Sequence, residues 1–398
     1  MFSIVAYILI PFISAYVAAT WVFPKVLTIS LIKNIVDNPD ARKLQRVPIP
    51  VLGGMVVMSG ILVALCVADL FVDCSSLYTV VLAMAIMLFI GTMDDILDIP
   101  STTRFLLEIL IALMIIYTCD YSLDNLHGLW GVRALSSWVS IPLTIVTVVG
   151  IINAINLIDG VDGYSSGYCV MASIMFGVFF YIVGDMPMTM LAIVCAAALI
   201  PFFFHNVFGR KSKMFIGDGG TLLMGCVMSV FVLNMLKTDT CCEGYCAKGL
   251  GLVPFSLAVL SVPVFDTLRV MSMRILRKTS PFHADKTHLH HMFIELKFSH
   301  IGTTVSILTL NSLVVIGWSI SYLCGASVDV QLYIVVASSL LVTVGFYYGM
   351  RLCGNKGWAL YRFMQRLGMM THVERKGFFL WMQKFMDRKV IAQDGAKV

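Results

Sequence analysis

The sequence predicts an all-α protein, a polytopic bundle of about eleven membrane-crossing helices. Of the 398 residues, 59% are hydrophobic and only 13% are charged, and the mean hydropathy is +0.89. Soluble domains carry about 25% charged residues. The charges are missing from long apolar runs and concentrated between them. This distribution is typical of a chain that crosses a membrane many times.

Eleven apolar runs are candidates for these helices, because about 20 apolar residues span a bilayer core. The shortest, 105–118 and 222–236, are the weakest, and Glu108 interrupts the first of them. The initial run lacks a basic start and is followed by Lys25, so a membrane helix is favoured over a signal peptide cleaved near 15–19. The runs lie near 3–23, 50–68, 77–93, 105–118, 136–152, 168–184, 188–207, 222–236, 250–268, 304–323 and 330–350.

Lysine and arginine are distributed unevenly between the two sides of the predicted bundle. One side, which carries 25 of the 28 basic residues, has the loops 24–49, 94–104, 153–167, 208–221 and 269–303 and the tail 351–398. Basic loops stay in the cytoplasm. We therefore expect a bacterial inner (plasma) membrane protein with its N-terminus outside and its C-terminus in the cytoplasm.

The sequence divides into a predicted transmembrane catalytic bundle, 1–350, and a cytoplasmic tail, 351–398. The tail mixes aromatic side chains, among them Trp358 and Trp381, with many Lys and Arg residues. This mixture suits amphipathic helices that lie on an anionic inner leaflet. A small soluble appendage is the alternative interpretation.

Two acidic patterns lie in loops on the predicted cytoplasmic side. Asp94 and Asp95 end an apolar run, where adjacent acids are costly unless a cation offsets them. Further along, polar residues recur at every third position: Asn153, Asn156, Asp159 and Asp162. Carboxylate and amide oxygens suit phosphate-bound magnesium or a sugar. Acids solvated at the interface, and aspartates that cap helices, are the structural alternatives.

A glycine-rich turn, Gly217-Asp218-Gly219-Gly220, precedes another apolar run. Exposed backbone N–H groups at such a turn can hold phosphate oxygens. The basic residues just upstream, at 210, 211 and 213, are more typical of topology than of ligand binding. In the first cytoplasmic loop, Lys43 fits either role, because a lipid phosphate would also attract it.

Four of the eight histidines fall within nine residues of one loop. The segment is His283-Ala-Asp285-Lys286-Thr-His288-Leu-His290-His291. Zinc is one interpretation, but no cysteine lies near, and His290 and His291 point in different directions on any regular element. A mixed His, Asp and Lys loop better suits an anionic substrate that is rich in hydroxyl groups.

Together these segments, over residues 24–303, resemble the polyprenyl-phosphate N-acetylhexosamine-1-phosphate transferases. That superfamily includes enzymes that start O-antigen, enterobacterial common antigen and teichoic acid synthesis, and the MurNAc-pentapeptide translocase. The patterns Asn-x-x-Asn-Leu-x-Asp-Gly-x-Asp-Gly and His-x-Asp-x-x-His-x-His-His carry the resemblance. The histidine pattern is similar to that of the UDP-N-acetylhexosamine enzymes. Gln45 departs from the family, which often has a histidine there, and Arg104 replaces a common lysine.

The resemblance implies a role for each matching position. The implied catalytic residues are Asp94, Asp95, Asp159 and Asp162. The implied substrate-binding residues are Lys43, Arg104, Asn153, Asn156, His283, Asp285, His288, His290 and His291. Asp218 and Asn156 are the implied ligands of Mg²⁺, or of Mn²⁺ as an alternative. Asp94 and Asp95 either position the acceptor or act as a base, and the sequence leaves both roles open.

The expected reaction transfers N-acetylhexosamine-1-phosphate, most simply GlcNAc-1-phosphate, from a UDP-sugar to undecaprenyl phosphate. It releases UMP and starts a cell-envelope polysaccharide such as lipopolysaccharide. The bilayer is the expected environment, no nucleic-acid partner is expected, and a homodimer remains an alternative to a monomer. A transporter or flippase of an anionic solute is the rival function, and a non-catalytic scaffold the third. Acids at helix ends on one side favour catalysis over transport, which places ionisable groups near the midplane.

Overall fold

The computed structural model describes residues 8–39, 47–238, 242–280, 286–373 and 377–394. In this part of the chain the structure is a helical bundle, which confirms the predicted fold class. The one described sheet is a two-stranded antiparallel pair, β1 (Val36–Asp37) and β2 (Ile49–Pro50), in which Val36 pairs with Pro50.

The described α-helices are numbered here in chain order. The first eight are α1 Ile10–Ile32, α2 Gly53–Ala68, α3 Tyr78–Leu97, α4 Ser101–Cys119, α5 Ser137–Leu157, α6 Tyr164–Val183, α7 Met186–Phe208 and α8 Gly217–Leu236. The others are α9 Glu243–Cys246, α10 Leu252–Val259, α11 Ser261–Leu276, α12 Leu289–Glu295, α13 His300–Leu323, α14 Val328–Leu340, α15 Phe346–Asn355, α16 Ala359–Met370 and α17 Gly377–Asp394.

The described residues contain nine helical segments that are long and apolar enough to cross a membrane. A tenth span results if α10 and α11, which meet at a 76° bend, cross together. The remaining predicted run corresponds to α2, an apolar helix of 16 residues. The chain is therefore a multi-pass membrane protein, while the count of eleven spans stays a prediction.

The predicted ends of two helices differ from those observed, because charge and glycine do not always end a helix. Helix α1 continues through Pro24 and Lys25 to Ile32, and the Lys25 ammonium lies over the ring of Trp21. Helix α8 begins at Gly217, five residues before the apolar run, so the glycine-rich segment forms its first turn.

The chain separates into two compact units. The first unit comprises Met1–Pro100, Asp159–Met224 and Met370–Val398, and the second comprises Ser101–Ile158 and Gly225–Met369. The predicted division into a bundle (1–350) and a tail (351–398) follows different boundaries and stays a prediction.

Small residues allow close packing in the first unit, where α1, α2 and α7 come together. Ala15 and Ala19 are fully buried. A Cβ added at Gly60 would lie 2.9 Å from the Cβ of Ala198 and 3.0 Å from the carbonyl oxygen of Ala15. Membrane helices associate largely through such van der Waals contact, because lipid tails are as apolar as the side chains.

A buried asparagine stabilises the break between α10 and α11 in the second unit. Asn311 Oδ1 accepts hydrogen bonds from Ser261 Oγ (2.8 Å) and from the N–H of Val262 (3.1 Å). Its Nδ2 donates to the carbonyl of Val259 at 3.0 Å. Backbone groups freed by a bend at membrane depth need such partners, because no water replaces them. Asn311 thus explains how this bend is tolerated.

Candidate functional site

The predicted site residues are divided between the two units. Three of them, Lys43, His283 and Asp285, lie outside the described residues. In the first unit lie Asp94, Asp95, Asp159, Asp162 and Asp218. In the second unit lie Arg104, Asn153, Asn156, His288, His290 and His291.

Asp95, near the C-terminal end of α3, caps the start of α8. Its Oδ1 accepts the N–H of Asp218 at 3.0 Å, and its Oδ2 accepts the N–H of Gly219 at 3.2 Å. Gly217 has a φ of +72°, and a Cβ there would lie 2.5 Å from Asp95 Oδ2, so glycine suits this position on both counts. Two N–H groups of the turn thus bind Asp95 and are not open to a phosphate oxygen, contrary to the prediction.

Asp94, the other member of the acidic pair, bonds the chain that follows its own helix. Its Oδ1 accepts the N–H of Ile99 at 2.9 Å. Asp98, which lies between Asp94 and Ile99 in the chain, has a φ of +53° and ends α3 in a left-handed conformation. Asp94 and Asp95 are both half-buried, and their different partners distinguish them. Both carboxylates thus accept backbone N–H groups, Asp94 beyond its own helix and Asp95 at the start of α8.

Asp159 lies in the loop between α5 and α6 and is surrounded by other acids. Its Oδ1 accepts a hydrogen bond from Ser165 Oγ at 2.5 Å. Although the residue retains an exposed surface, desolvation of its carboxylate raises the pKa of Asp159 above its usual value. The negative charges of Asp218, Asp162 and Asp37 raise it further, and the Ser165 hydrogen bond opposes the rise. A cation is therefore the ligand that this group of carboxylates would favour.

Lys213 supplies a positive charge next to these acids. Its Nζ lies 2.6 Å from Asp162 Oδ2, in a pair that is partly exposed to solvent. The backbone next to Asp162 makes a second contact, because the N–H of Gly163 donates to Asn206 Oδ1 at 2.6 Å. Asn206 also donates to the carbonyl of Met214 at 2.9 Å. The segment with Asp162 and the segment with Lys213 are thus held together by two sets of contacts.

The donor set of the first unit fits the magnesium ion that the resemblance implies. Hard divalent cations take oxygen ligands, and Asp159, Asp162 and Asp218 supply carboxylate oxygens whose charges repel one another. Across the described residues, no three His, Cys, Asp or Glu side chains already converge as ligands of one ion.

In the second unit, a buried glutamate organises two of the predicted substrate-binding residues. Glu108 of α4 is fully buried. Its Oε2 accepts a hydrogen bond from Asn153 Nδ2 at 2.5 Å, and its Oε1 lies 3.6 Å from Arg104 Nε. The Asn153 amide also donates to the carbonyl of Val149. Asn153 and Arg104 thus stabilise the buried carboxylate of Glu108. The sequence predicted only substrate binding for these two residues.

The histidine segment is anchored through Asp266 of α11. His288 Nδ1 lies 3.0 Å from Asp266 Oδ2, and the N–H of Leu289 also donates to this carboxylate. Arg269 Nη2 donates to Asp266 at 2.7 Å and to the carbonyl of Thr287 at 2.6 Å. His288 is buried, yet its Nε2 has no hydrogen-bond partner among the described residues. An unpartnered polar atom at this depth is the kind of group that a bound ligand satisfies.

The three histidines of this segment that the structure describes have neighbouring rings, and one of them stays neutral. The rings of His288 and His290 are parallel within 5°, with centroids 5.7 Å apart, and His290 and His291 lie 4.3 Å apart. Burial lowers the pKa of His290 well below its usual value, and the charges of His291 and His288 lower it further. His290 is therefore uncharged at neutral pH.

Three residues of this chemistry were not singled out as site residues from sequence. In the sequence, Glu108 stands out only as an interruption of an apolar run, although an ionisable group inside a membrane helix usually has a function. The position of Lys213 is typical of a topology signal, and no local pattern marks Asp266. Their partners are 45, 51 and 22 residues away in the chain, respectively. Of the three residues, only Glu108 is recognisable from the sequence, because it is an ionisable residue within an apolar run.

Comparison with known proteins agrees with this chemistry. Residues 77–236 match the family model of glycosyl transferase family 4, a range that runs from α3 to α8 and contains every described aspartate discussed above except Asp37 and Asp266.

The curated relatives extend this match beyond residue 236. Over 350 residues, the chain is 26% identical to the undecaprenyl-phosphate alpha-N-acetylglucosaminyl 1-phosphate transferase of Salmonella typhi, which covers 86% of this chain and 90% of that protein. The Escherichia coli K12 protein of the same name is 26% identical, with coverage of 86% and 90%. A Bacillus subtilis protein named "Probable undecaprenyl-phosphate N-acetylglucosaminyl 1-phosphate transferase" is 27% identical, with coverage of 74% and 79%. Motifs, helical architecture and relatives agree: the chain is similar to glycosyl transferase family 4 over residues 77–236 and to undecaprenyl-phosphate N-acetylglucosaminyl 1-phosphate transferases over most of its length.

Proposed function

We propose that this protein transfers GlcNAc-1-phosphate from UDP-GlcNAc to undecaprenyl phosphate and releases UMP. The observation that carries the proposal is the group of carboxylates around Asp159, with Lys213 paired to Asp162, in loops between helices of a membrane protein. Such a group suits a diphosphate that arrives with a divalent cation. The names of the Salmonella typhi and Escherichia coli relatives give the same acceptor and the same transferred group.

The reaction exchanges one phosphoric anhydride bond for another. An oxygen of undecaprenyl phosphate attacks the β-phosphorus of UDP-GlcNAc, and the bond from that phosphorus to the bridging oxygen breaks. UMP leaves with the bridging oxygen, and undecaprenyl-diphosphate-GlcNAc remains. The attacking group needs no protein base, because a phosphate monoester with a second pKa near 6 is mostly dianionic at pH 7.

The side chains divide the work of binding and charge stabilisation. Asp218, Asp159 and Asp162 would hold Mg²⁺, which when bound neutralises the diphosphate and stabilises the leaving oxygen. Asp94 would orient the acceptor. In the second unit, Asp266 fixes the ring of His288 through Nδ1, so the ring presents Nε2 to a hydroxyl or phosphate oxygen of a ligand.

We further propose that the reaction takes place at the cytoplasmic face of a bacterial plasma membrane. The 25 basic residues on one predicted side support this orientation. UDP-sugars are made in the cytoplasm, so the carboxylate loops must face it to meet their donor. The lipid product would then start a cell-envelope polysaccharide.

Product analysis tests the proposed bond cleavage. Purified protein in detergent, supplied with UDP-GlcNAc, undecaprenyl phosphate and Mg²⁺, should release UMP and transfer labelled UMP back into UDP-GlcNAc once lipid product has formed. EDTA should stop both reactions, and Mg²⁺ or Mn²⁺ should restore them. UDP as the sole nucleotide product would refute phosphoryl transfer. An absence of catalysis in detergent, together with solute uptake into proteoliposomes, would instead indicate a transporter.

A further inference from the structure

The loop between α7 and α8 presents consecutive backbone N–H groups to a single side-chain atom. The N–H groups of Arg210, Lys211 and Ser212 donate to Oδ1 of Asp387 at 3.1, 3.0 and 3.1 Å. The hydroxyl of Ser212 donates to the same oxygen at 3.1 Å. Successive N–H groups that converge in this way form an anion-binding concavity. Here the anion belongs to the protein itself, in α17.

Apolar packing brings Asp387 to this loop. At the end of α7, the ring of Phe208 contacts Phe379 and Phe378, with centroids 4.9 and 6.3 Å apart. Met382 and Met386 are also buried, and they follow at helical spacing along α17. Residues three and four positions apart share one helix face, so this face lies against protein. Asp387 directly follows Met386, so the packing of this helix face positions Asp387 beside the loop.

The loop that Asp387 holds carries Lys213. One residue beyond the last donor to Asp387, Lys213 forms its 2.6 Å ion pair with Asp162. The ion pair is partly exposed, with 24% of the Lys213 side chain accessible. Exposed ion pairs are weak because two long side chains must be ordered to form them. A rigid backbone at 210–212 lowers that entropic cost for Lys213.

We propose that Asp387 is a positioning residue for the transferase reaction, which holds Lys213 against the Asp159–Asp162 segment through the backbone of residues 210–212. This inference rests on the proposed function. It assigns the C-terminal helix α17 a part in donor binding, although no residue of α17 belongs to a family motif. A charge-assisted set of four hydrogen bonds on one oxygen is well suited to fix a loop.

Two substitutions at Asp387 separate the hydrogen bonds from the rest of the side chain. Asp387→Ala removes the acceptor, whereas Asp387→Asn keeps a carbonyl oxygen in the same place. In the UMP-release assay with full-length protein in detergent, Asp387→Ala should raise the KM for UDP-GlcNAc on the order of tenfold, with a smaller change in kcat. Asp387→Asn should stay within about threefold of the wild type. Lys384→Gln, at an exposed position one turn earlier on α17, is the matched control and should behave as the wild type.

A double-mutant cycle tests whether Asp387 acts through Lys213. Lys213→Met should itself raise the KM for UDP-GlcNAc. Adding Asp387→Ala to Lys213→Met should cause little further change, because the contact that Asp387 supports is already absent. An equal loss in the wild-type and Lys213→Met backgrounds would overturn the proposal and indicate a merely structural role for Asp387.

A measurement without catalysis keeps this inference separate from the proposed function. Acetylation of Lys213 by a water-soluble amine reagent, followed by mass spectrometry, should be several-fold faster in Asp387→Ala than in the wild type or Asp387→Asn. Unchanged Lys213 reactivity in Asp387→Ala would overturn the positioning role. A wild-type protein that releases no UMP, but shows the expected reactivity difference, would overturn the proposed function alone.

Discussion

At the scale of single residues, the buried ionisable groups account for much of the chemistry in the second unit. Glu108 is fully buried and has Arg104 and Asn153 as partners, and Asp266 holds both His288 and Arg269. Removing one partner from such a group leaves the others desolvated without compensation. Substitutions at these positions should therefore affect stability as well as activity.

Glu108→Ala should destabilise the protein by about 3 kcal/mol, the usual cost of breaking a buried ion pair from one side. Glu108→Gln should cost less, because its carbonyl oxygen still accepts from Asn153. Thermal unfolding in detergent measures both. Glu295→Ala is the matched control, since the Glu295–Arg351 pair is about 40% exposed and such pairs contribute about 0–1 kcal/mol. Equal costs for Glu108→Ala and Glu295→Ala would contradict this account of Glu108.

His290 should make the folded protein sensitive to acid. Burial and the neighbouring histidines lower the pKa of His290 in the folded protein. Below about pH 6.5, His290 therefore binds a proton in the unfolded chain but not in the folded one. Folding stability should therefore be unaffected by His290 above that pH and decrease as the pH falls below it, by up to about 1.4 kcal/mol per pH unit.

Melting temperatures at pH 7.5 and pH 5.5 test this dependence. The decrease on acidification should be smaller in His290→Asn than in the wild type. His372→Asn, at an exposed position, should keep the wild-type decrease. The expectation fails if His290→Asn and the wild type lose the same stability over this interval.

At the scale of secondary-structure elements, the helix ends determine what each acidic residue can do. Asp95 caps α8 through two N–H groups, Asp94 bonds the N–H of Ile99 beyond α3, and Asp218 occupies the first turn of α8. A carboxylate near a helix N-terminus is stabilised by the helix dipole and by the unpaired N–H groups of the first turn. Asp95 therefore has a structural function that its place in a paired acidic motif does not reveal.

Asp95→Ala should lower the stability of the protein by about 1–2 kcal/mol, the usual effect of removing a helix N-cap. Asp218→Asn should leave the melting temperature nearly unchanged and reduce the rate of UMP release on the order of 100-fold, because it removes a charge-stabilising group. Melting curves and initial rates of both variants give the comparison. A fully stable Asp95→Ala protein would show that the α8 N–H groups find other acceptors.

At the scale of the whole molecule, two features govern how the protein lies in a membrane: its apolar helices and the uneven distribution of its basic residues. Nine described helical segments can span a bilayer, with a tenth if the bent pair is one span, and basic residues cluster on one predicted side. The cost of moving charge across a membrane makes this asymmetry an orienting force. Orientation is thus a property of the entire chain and not of any one loop.

Impermeant thiol labelling tests the orientation. Single cysteines introduced beside Asp98, Gly160, Ser212 and His288 should stay unlabelled in intact cells and react after permeabilisation. All eleven native cysteines need replacement first, because Cys66 and Cys324 are exposed and Cys119 and Cys246 are partly exposed. A cysteine next to Trp130, in a loop predicted outside, is the matched positive control. Labelling from outside at any of the four cytoplasmic positions would contradict the proposed topology.

The sequence by itself determined the helical class, the approximate helix positions, the acidic and histidine motifs and the family resemblance, because hydropathy and motif spacing are local properties of the chain. Tertiary structure alone decided what the motif residues contact. It paired Asp95 with the start of α8, Glu108 with Asn153, and Asp387 with a loop 175–177 residues earlier. Hydrogen bonds across such separations depend on how helices pack, and helix packing has no short-range signature in sequence.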